Sequence, residues 1–159
     1  MAAAGRVRSL AKGPLPTMTA SFPLSGGCLC GAVRYRVAAF AGPVLLCHCG
    51  QCRKAQGSAF AANAPVRSED FTLLAGADAL AGHESSPGKW RSFCRHCGSP
   101  IHSRRDGLPG VLRLRVGSLD DDAAAALRPA GHIHVASKAA WWDIADGLPQ
   151  YPGVEPGRG

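Results

Sequence analysis

The stretch Cys47-His-Cys-Gly-Gln-Cys52 holds three of the seven cysteines in this chain. The other four lie in two shorter stretches, Cys28-Leu-Cys30 and Cys94-Arg-His-Cys97. The odd number argues against a fully paired disulfide framework, and the first 20 residues contain no apolar segment typical of a secretory signal. Closely spaced thiols in such a chain indicate metal binding, and we expect a cytoplasmic location, where thiols stay reduced.

Seven thiol ligands divide naturally between two zinc ions. A structural zinc site is closed by four protein ligands, whereas a catalytic site has three and keeps one position open. The two cysteine pairs form the closed site most simply, and this site comprises Cys28, Cys30, Cys94 and Cys97. The open site then comprises Cys47, Cys49 and Cys52. A partition that mixes the clusters, or an iron–sulfur cluster at the three cysteines, remains an alternative.

His48 lies between two cysteines of the open site, so it could supply a fourth ligand. Cys47 and Cys49 share one face of an extended segment, however, and the side chain between them should point to the other face. We therefore expect His48 to point away from the metal. An external thiol could then occupy the open position and lose its proton there.

Composition limits the other classes of function. The chain has 159 residues, 46% apolar and 18% charged, which predicts one folded domain and excludes a wholly disordered chain. No apolar run reaches the ~18–20 residues that a transmembrane helix needs. Aromatic residues are only 6%, so we expect metal binding to support a small core. Thiolates would offset much of the formal charge of +7, and we do not expect a nucleic-acid partner.

The chain divides into three parts. We expect residues 1–21 to be a disordered extension, or to precede a true start at Met18, with an organellar transit peptide as the alternative. Residues 22–152 form the predicted zinc-binding domain, and residues 153–159 form a predicted flexible tail.

Strands dominate the predicted secondary structure. Val33, Tyr35 and Val37 alternate with Arg34 and Arg36, which predicts a half-buried strand over residues 32–37. Further predicted strands span residues 44–47, 58–66, 71–74, 111–116 and 131–135. We expect one helical turn over 52–56, a loop over 82–89 and a short helix capped by Ser118. The predicted fold is a mainly-β single domain centred on zinc, with short helical turns.

Three stretches of the chain resemble the glutathione-dependent formaldehyde-activating enzyme family, which includes centromere protein V. They are residues 26–35 (GGCLCGAVRY), 47–57 (CHCGQCRKAQG) and 85–100 (SSPG to FCRHCGSP). Residues 117–120 and 142–152 fit the same family, so the resemblance covers most of the chain. It implies a zinc-centred β-tent fold with the same closed and open cysteine sites. One departure is His134, where members of the family often carry Trp.

The resemblance also implies a chemistry. The founding activity joins glutathione and formaldehyde into S-hydroxymethylglutathione, so this chain would be a carbon–sulfur lyase-like enzyme with two zinc ions. A small-molecule thiol and a small aldehyde would be its partners, and the three cysteines of the open site would be catalytic. Two alternatives remain: a non-catalytic, zinc-stabilised module that binds glutathione or a related thiol, and a protein or nucleic-acid interaction module.

Several other side chains have two interpretations. Arg53 and Lys54 follow the open site directly and could hold a carboxylate of glutathione, or they could form a solvated helix face. Lys89 and Arg91 have the same two interpretations. The histidines that could move protons, or serve the structure alone, are His48, His96 and His102. We expect Trp141 and Trp142 in the core or at its rim, and Asp143 and Asp146 as local caps.

Overall fold

Antiparallel strands form most of the regular secondary structure in this computed structural model, which describes residues 21–156. Except for Ser21, the predicted extension lies outside the described residues, as do residues 157–159 of the predicted tail. A small sheet has three strands in the order β1-β2-β5. These strands are β1 (Leu24–Gly27), β2 (Arg34–Val37) and β5 (Phe71–Ala75).

A larger sheet has seven strands in the order β10-β3-β4-β9-β8-β7-β6. They are β3 (Leu45–Cys47), β4 (Ala61–Arg67), β6 (Leu80–Ser86), β7 (Lys89–Cys94), β8 (Pro100–Arg105), β9 (Leu108–Arg115) and β10 (Gly131–Ile133). The β10–β3 pair is parallel, and the other neighbours are antiparallel.

The helices are short. Helix α1 (Gly50–Gln56) follows β3 and ends at Gly57, whose φ of 59° lies in the left-handed region that glycine adopts easily. Helix α2 spans Asp121–Ala124. Three 3₁₀ turns cover Ser68–Asp70, Val116–Ser118 and Val135–Ser137. The prediction of a mainly-β domain with short helical turns is therefore confirmed.

The main core lies between the two sheets. The predicted alternation is present around β2, where Val33, Tyr35 and Val37 are fully buried. They pack in one cluster with Ile101 of β8 and Leu114 of β9. Each such apolar side chain contributes about 1.5–3 kcal/mol when it is fully buried. The cluster thereby holds the small sheet against the large one.

A second, smaller cluster lies at the β10 end of the large sheet. It contains Leu45, Ala61 and Ile133 together with the thiols of Cys47 and Cys52. The three apolar residues come from three adjacent strands, β3, β4 and β10. This packing fixes the end of β3, from which the three-cysteine stretch continues into α1.

Two local predictions are wrong. Residues 82–89 are not a loop, because β6 and β7 form a hairpin through this stretch. β6 is an edge strand and is exposed on both faces at His83 and Glu84, so its polar residues make a strand look like a loop. Ser118 does not cap α2 either; Asp120 precedes that helix, and the Ser118 hydroxyl lies 2.8 Å from the Tyr35 hydroxyl.

Candidate functional site

The cysteines of the first quoted stretch converge at a strand end and a helix start. Cys47 is the last residue of β3, and Cys49 precedes α1, where its Sγ accepts from the backbone N–H of Cys52 at 3.4 Å. The ligand atoms of these three cysteines lie within 4.8 Å of one another. Cys47 and Cys52 are buried, and Cys49 is half-buried. We call Cys47, Cys49 and Cys52 the three-cysteine group.

The remaining thiols form a second group, the four-cysteine group, which consists of Cys28, Cys30, Cys94 and Cys97. Sγ of Cys30 lies 3.5 Å from Sγ of Cys28 and 3.8 Å from Sγ of Cys94. Gly31 and Gly98 turn the chain just beyond the cysteines with φ of 78° and 76°. The structure thus brings together the cysteines that the sequence assigned to the closed site.

Hydrogen bonds join the two halves of the four-cysteine group. The N–H of Val33 donates to Sγ of Cys28 at 3.2 Å, and the N–H of Leu29 donates to Oγ of Ser99 at 2.9 Å. The Ser99 hydroxyl also lies 3.3 Å from Sγ of Cys97. Its contact is the largest of several hydrogen bonds that lower the pKa of Cys97 to about 5, which favours the thiolate that a metal requires.

Both groups fit a zinc ion. With Zn–S bonds of about 2.3 Å, a tetrahedral site places its sulfurs about 3.8 Å apart, close to the spacing in the four-cysteine group. In the three-cysteine group, sulfur contacts from Cys47 and Cys52 lower the pKa of Cys49, and contacts from Cys49 and Cys52 raise the pKa of Cys47. Thiols this close compete for protons, and a shared cation relieves that competition.

The three-cysteine group lies at one wall of a cavity of about 130 Å³. Cationic side chains from β7, β8 and β9 line the same cavity; they are Lys89, Arg91, Arg105, Arg113 and Arg115. Among the described residues, Glu155 is the one acidic side chain in this lining. A larger cavity of about 640 Å³ continues from it and shares Lys89 and His134 with it. Together they form a cationic groove that begins at the thiols.

Hydrogen bonds hold the guanidinium of Arg91 in place, and burial changes the pKa of Lys89. Arg91 donates from Nε to Oγ of Ser85 at 2.9 Å and from Nη2 to Oε1 of Gln51 at 3.3 Å. Burial lowers the pKa of Lys89 to about 8, and nearby arginines add to this effect. Lys89 therefore exchanges its proton close to neutral pH. These placements favour the groove interpretation of Lys89 and Arg91 over a solvated surface.

Comparisons with known proteins identify the family of this chain. The family model described as "Glutathione-dependent formaldehyde-activating enzyme" matches residues 23–137. The chain belongs to this family. A protein of Halomonas elongata named "Putative glutathione-dependent formaldehyde-activating enzyme" is 30% identical over 130 residues, which cover 76% of this chain and 80% of that protein.

A solved structure shows the same fold. A crystal structure of a Rhodobacter sphaeroides protein aligns with a TM-score of 0.53 and 22% sequence identity. The alignment covers 80% of this chain and 99% of that one.

In residues 21–156, no helix has both the length and the apolar character that crossing a membrane would require.

Arg53 and Lys54 lie outside the groove. Both are on α1, where Arg53 donates from Nε to the backbone oxygen of His48 at 3.3 Å and Lys54 is exposed. Neither is among the residues that line the cavity of the three-cysteine group. Their assignment to glutathione stays a prediction. The five cations that line the cavity of the three-cysteine group come instead from β7, β8 and β9.

His48 points away from the three-cysteine group, as its position between two cysteines suggests. Its Nε2 lies 2.8 Å from Nδ1 of His132, and Nε2 of His132 lies 2.9 Å from a carboxylate oxygen of Asp146. Both imidazoles are buried, and burial lowers the pKa of His48. Sequence patterns do not reveal this hydrogen-bonded series of side chains, because His132 is 84 residues from His48. Asp146 also accepts from the N–H of Leu148 at 3.1 Å, which is a local cap.

His96, His102, Trp141 and Trp142 do not line the cavity of the three-cysteine group. His96 is exposed, and burial lowers the pKa of His102 to about 4, so His102 is neutral near pH 7. Trp141 is 71% exposed and Trp142 is 38% exposed, which places both at the rim rather than in the core. His134, the departure from the family pattern, lines the groove with a positive φ of 56°.

Residues beyond 152 also reach the groove. The N–H of His134 donates to the backbone oxygen of Gly153 at 2.6 Å, and Val154 and Glu155 contribute to the lining. The sequence analysis placed these residues in a flexible tail. Their contacts put the start of that segment beside the thiols.

Proposed function

We propose that this protein is a zinc-dependent, carbon–sulfur lyase-like enzyme that joins glutathione, or a related thiol, to formaldehyde and catalyses the reverse cleavage. The observation that carries the proposal is the unequal division of the thiols. Four sulfurs form a complete ligand set, whereas the three-cysteine group has three sulfurs and borders a cationic groove. A centre that lacks a fourth ligand beside a groove for anions suits an anionic thiol.

Each cysteine group would hold one zinc ion, which gives two ions per chain. The four-cysteine group would hold a structural ion. When bound at the three-cysteine group, zinc would accept one external ligand and favour the thiolate form of a thiol.

The groove would bind glutathione through its carboxylates. Guanidinium and ammonium groups make charge-assisted hydrogen bonds to carboxylates, and Lys89, Arg91 and Arg113 line the same cavity as the thiols. Because the two cavities share Lys89 and His134, an extended tripeptide can reach from the thiols into the larger cavity. Arg53 and Lys54 lie outside the cavity lining, so they would attract the anionic ligand as it approaches and would not hold its carboxylates.

The addition step forms one carbon–sulfur bond. The glutathione thiolate attacks the carbonyl carbon of formaldehyde, the carbonyl π electrons move to oxygen, and that oxygen takes up one proton to give the hydroxymethyl product. Solvent in the open groove supplies this proton, because the ammonium group of Lys89 is engaged by a carboxylate of glutathione in the proposed complex. Holding both reactants together removes much of the entropic barrier. We also propose a cytoplasmic location, where glutathione is reduced.

Exchange NMR on mixtures of glutathione and formaldehyde tests this function. The method records the interconversion of free and hydroxymethylated glutathione, and the spontaneous rate is measured in the same buffer without protein. We expect the zinc-loaded protein to accelerate the exchange, and the Cys49→Ser variant to return it to the spontaneous rate. Binding of glutathione without acceleration would favour a non-catalytic binding module and contradict the enzyme.

A further inference from the structure

Arg115 is a buried cation whose charge needs a partner. Its side chain is 4% exposed, although a guanidinium stays charged at any pH a protein encounters. Its hydrogen bonds run to neutral oxygens, to Oδ1 of Asn63 and to Oγ of Ser103 at 3.2 Å. Neutral acceptors satisfy the N–H groups but do not neutralise the charge, and an uncompensated buried charge is strongly destabilising.

Two kinds of group in this cavity can compensate the charge: the thiols of the three-cysteine group and the carboxylate of Glu155. Arg115 lines the same cavity as these sulfurs. Burial, with the nearby Arg91, lowers the pKa of Arg115, and negative charge on Cys52, Cys47 and Cys49 acts in the opposite direction and favours its charged form. Thiols carry no charge when protonated, so they compensate Arg115 only as thiolates.

The fold fixes the direction of the guanidinium. Asn63 of β4 lies directly opposite Arg115 of β9 in the antiparallel ladder, and β8 carries Ser103 on the other side of β9. The amide of Asn63 is itself held, because its Nδ2 donates to the backbone oxygen of Ala61 at 2.8 Å. Three adjacent strands thus orient one charge beside the cysteines.

We infer that Arg115 is the counter-ion of the metal–thiolate centre formed by Cys47, Cys49 and Cys52. In this role it stabilises metal binding at this group and favours the binding of an external thiolate there. Three thiolates around a divalent cation leave one net negative charge, which matches one guanidinium. An external thiolate adds another negative charge, and Arg115 lowers the cost of that step. The inference rests on the proposed metal site but concerns a residue that holds neither metal nor substrate, so Arg115 is a positioning residue.

Zinc retention tests this role without measuring catalysis. The variants are Arg115→Met and Arg115→Gln, which remove the charge, and Arg115→Lys, which keeps it. Arg105→Met is the matched control, because it removes an exposed cation from the same cavity. Each zinc-loaded protein is titrated with a chelator, and native mass spectrometry counts the ions that remain. The four-cysteine group serves as the control site within the same molecule.

We expect the two neutral variants to lose the second zinc at a chelator concentration about 10- to 100-fold lower than wild type, the range typical of residues that support metal ligands. Arg115→Lys and Arg105→Met should stay close to wild type, and the first zinc should be unaffected. Because Gln keeps polar contacts to Asn63 and Ser103, the comparison of Gln with Lys decides the role even if the Met variant folds poorly.

Two results would overturn the inference, and they can be told apart. Wild-type retention of the second zinc in both neutral variants would remove the counter-ion role and leave the proposed function intact. Binding of only one zinc by the wild-type protein would remove both.

Discussion

The two cysteine groups use the same ligand atom for different purposes. The four-cysteine group joins segments that are 64 residues apart, and backbone N–H groups and Ser99 surround its sulfurs. The three-cysteine group spans only residues 47–52 and borders a cavity lined by five cations. In the proposed division of roles, the four-cysteine group acts as a long-range clamp that supplements the core of a chain with few large side chains. The three-cysteine group closes no long loop, and we propose that its thiols serve the chemistry.

Cys94→Ser should have the largest effect. Structural zinc sites contribute about 10–16 kcal/mol to folding, which is comparable to the whole stability of a typical domain. Cys94 is fully buried, and its sulfur lies 3.8 Å from that of Cys30. We expect the variant to lose its cooperative thermal transition by circular dichroism. A melting curve close to that of wild type would show that the four-cysteine group is not the clamp.

Cys49→Ser should remove the second metal and leave the protein folded. Cys49 precedes α1 as its N-cap, and serine is a favourable residue at that position, so the helix start is preserved. We expect metal analysis to fall from two zinc ions to one, with a melting temperature lowered by only a few degrees, about 2–4 °C. Two ions retained in the variant, or a loss of folding equal to that of Cys94→Ser, would erase the contrast between the groups.

Lys89→Met should weaken glutathione binding by about 10- to 100-fold, the loss expected when a charged hydrogen bond to a carboxylate is removed. Lys54→Met is the matched control, because Lys54 is an exposed lysine outside the cavity lining. Isothermal titration of both zinc-loaded variants with glutathione gives the comparison. A larger loss in Lys54→Met would restore the assignment made from sequence and contradict the groove.

A smaller effect should appear in the pH dependence of glutathione binding. Burial favours the neutral amine of Lys89 and places its pKa near 8. As the pH rises through 8, Lys89 loses its charge, so the affinity of the wild-type protein for glutathione should fall several-fold. The affinity of Lys89→Met should not show this fall, because that variant has no amine at this position. Titrations from pH 7 to 9 check this difference. Parallel pH profiles in the two proteins would show that Lys89 does not contact the ligand.

Sequence reasoning reached the cysteines because their spacing is local. Short intervals within each stretch, together with the count of seven, predict which sulfurs meet and predict that His48 turns away. The hairpin through residues 82–89 escaped prediction because exposed strands carry polar residues. Its misassignment also hid the beginning of β7, which carries Lys89 and Arg91 into the groove.

The cations of the groove could not be found from neighbouring residues in the sequence. Arg53 and Lys54 directly follow Cys52 in α1. The thiol of Cys52 lines the cavity, but the side chains of Arg53 and Lys54 do not. Arg115 is 63 positions beyond Cys52 and reaches the thiols only because β9 pairs with β4 and β8. Tertiary pairing of strands therefore decides which charges face the metal group, and single-sequence patterns do not contain that information.

The central claim is that the second ion has three protein thiolates and accepts an external thiol as its fourth ligand. Crystals grown with zinc, with and without glutathione, test it directly through anomalous scattering at the zinc edge. We predict one ion at each cysteine group and a glutathione sulfur completing the three-cysteine site. A three-cysteine group that is empty and disulfide-linked, or that is completed by a fourth side chain, would contradict the account.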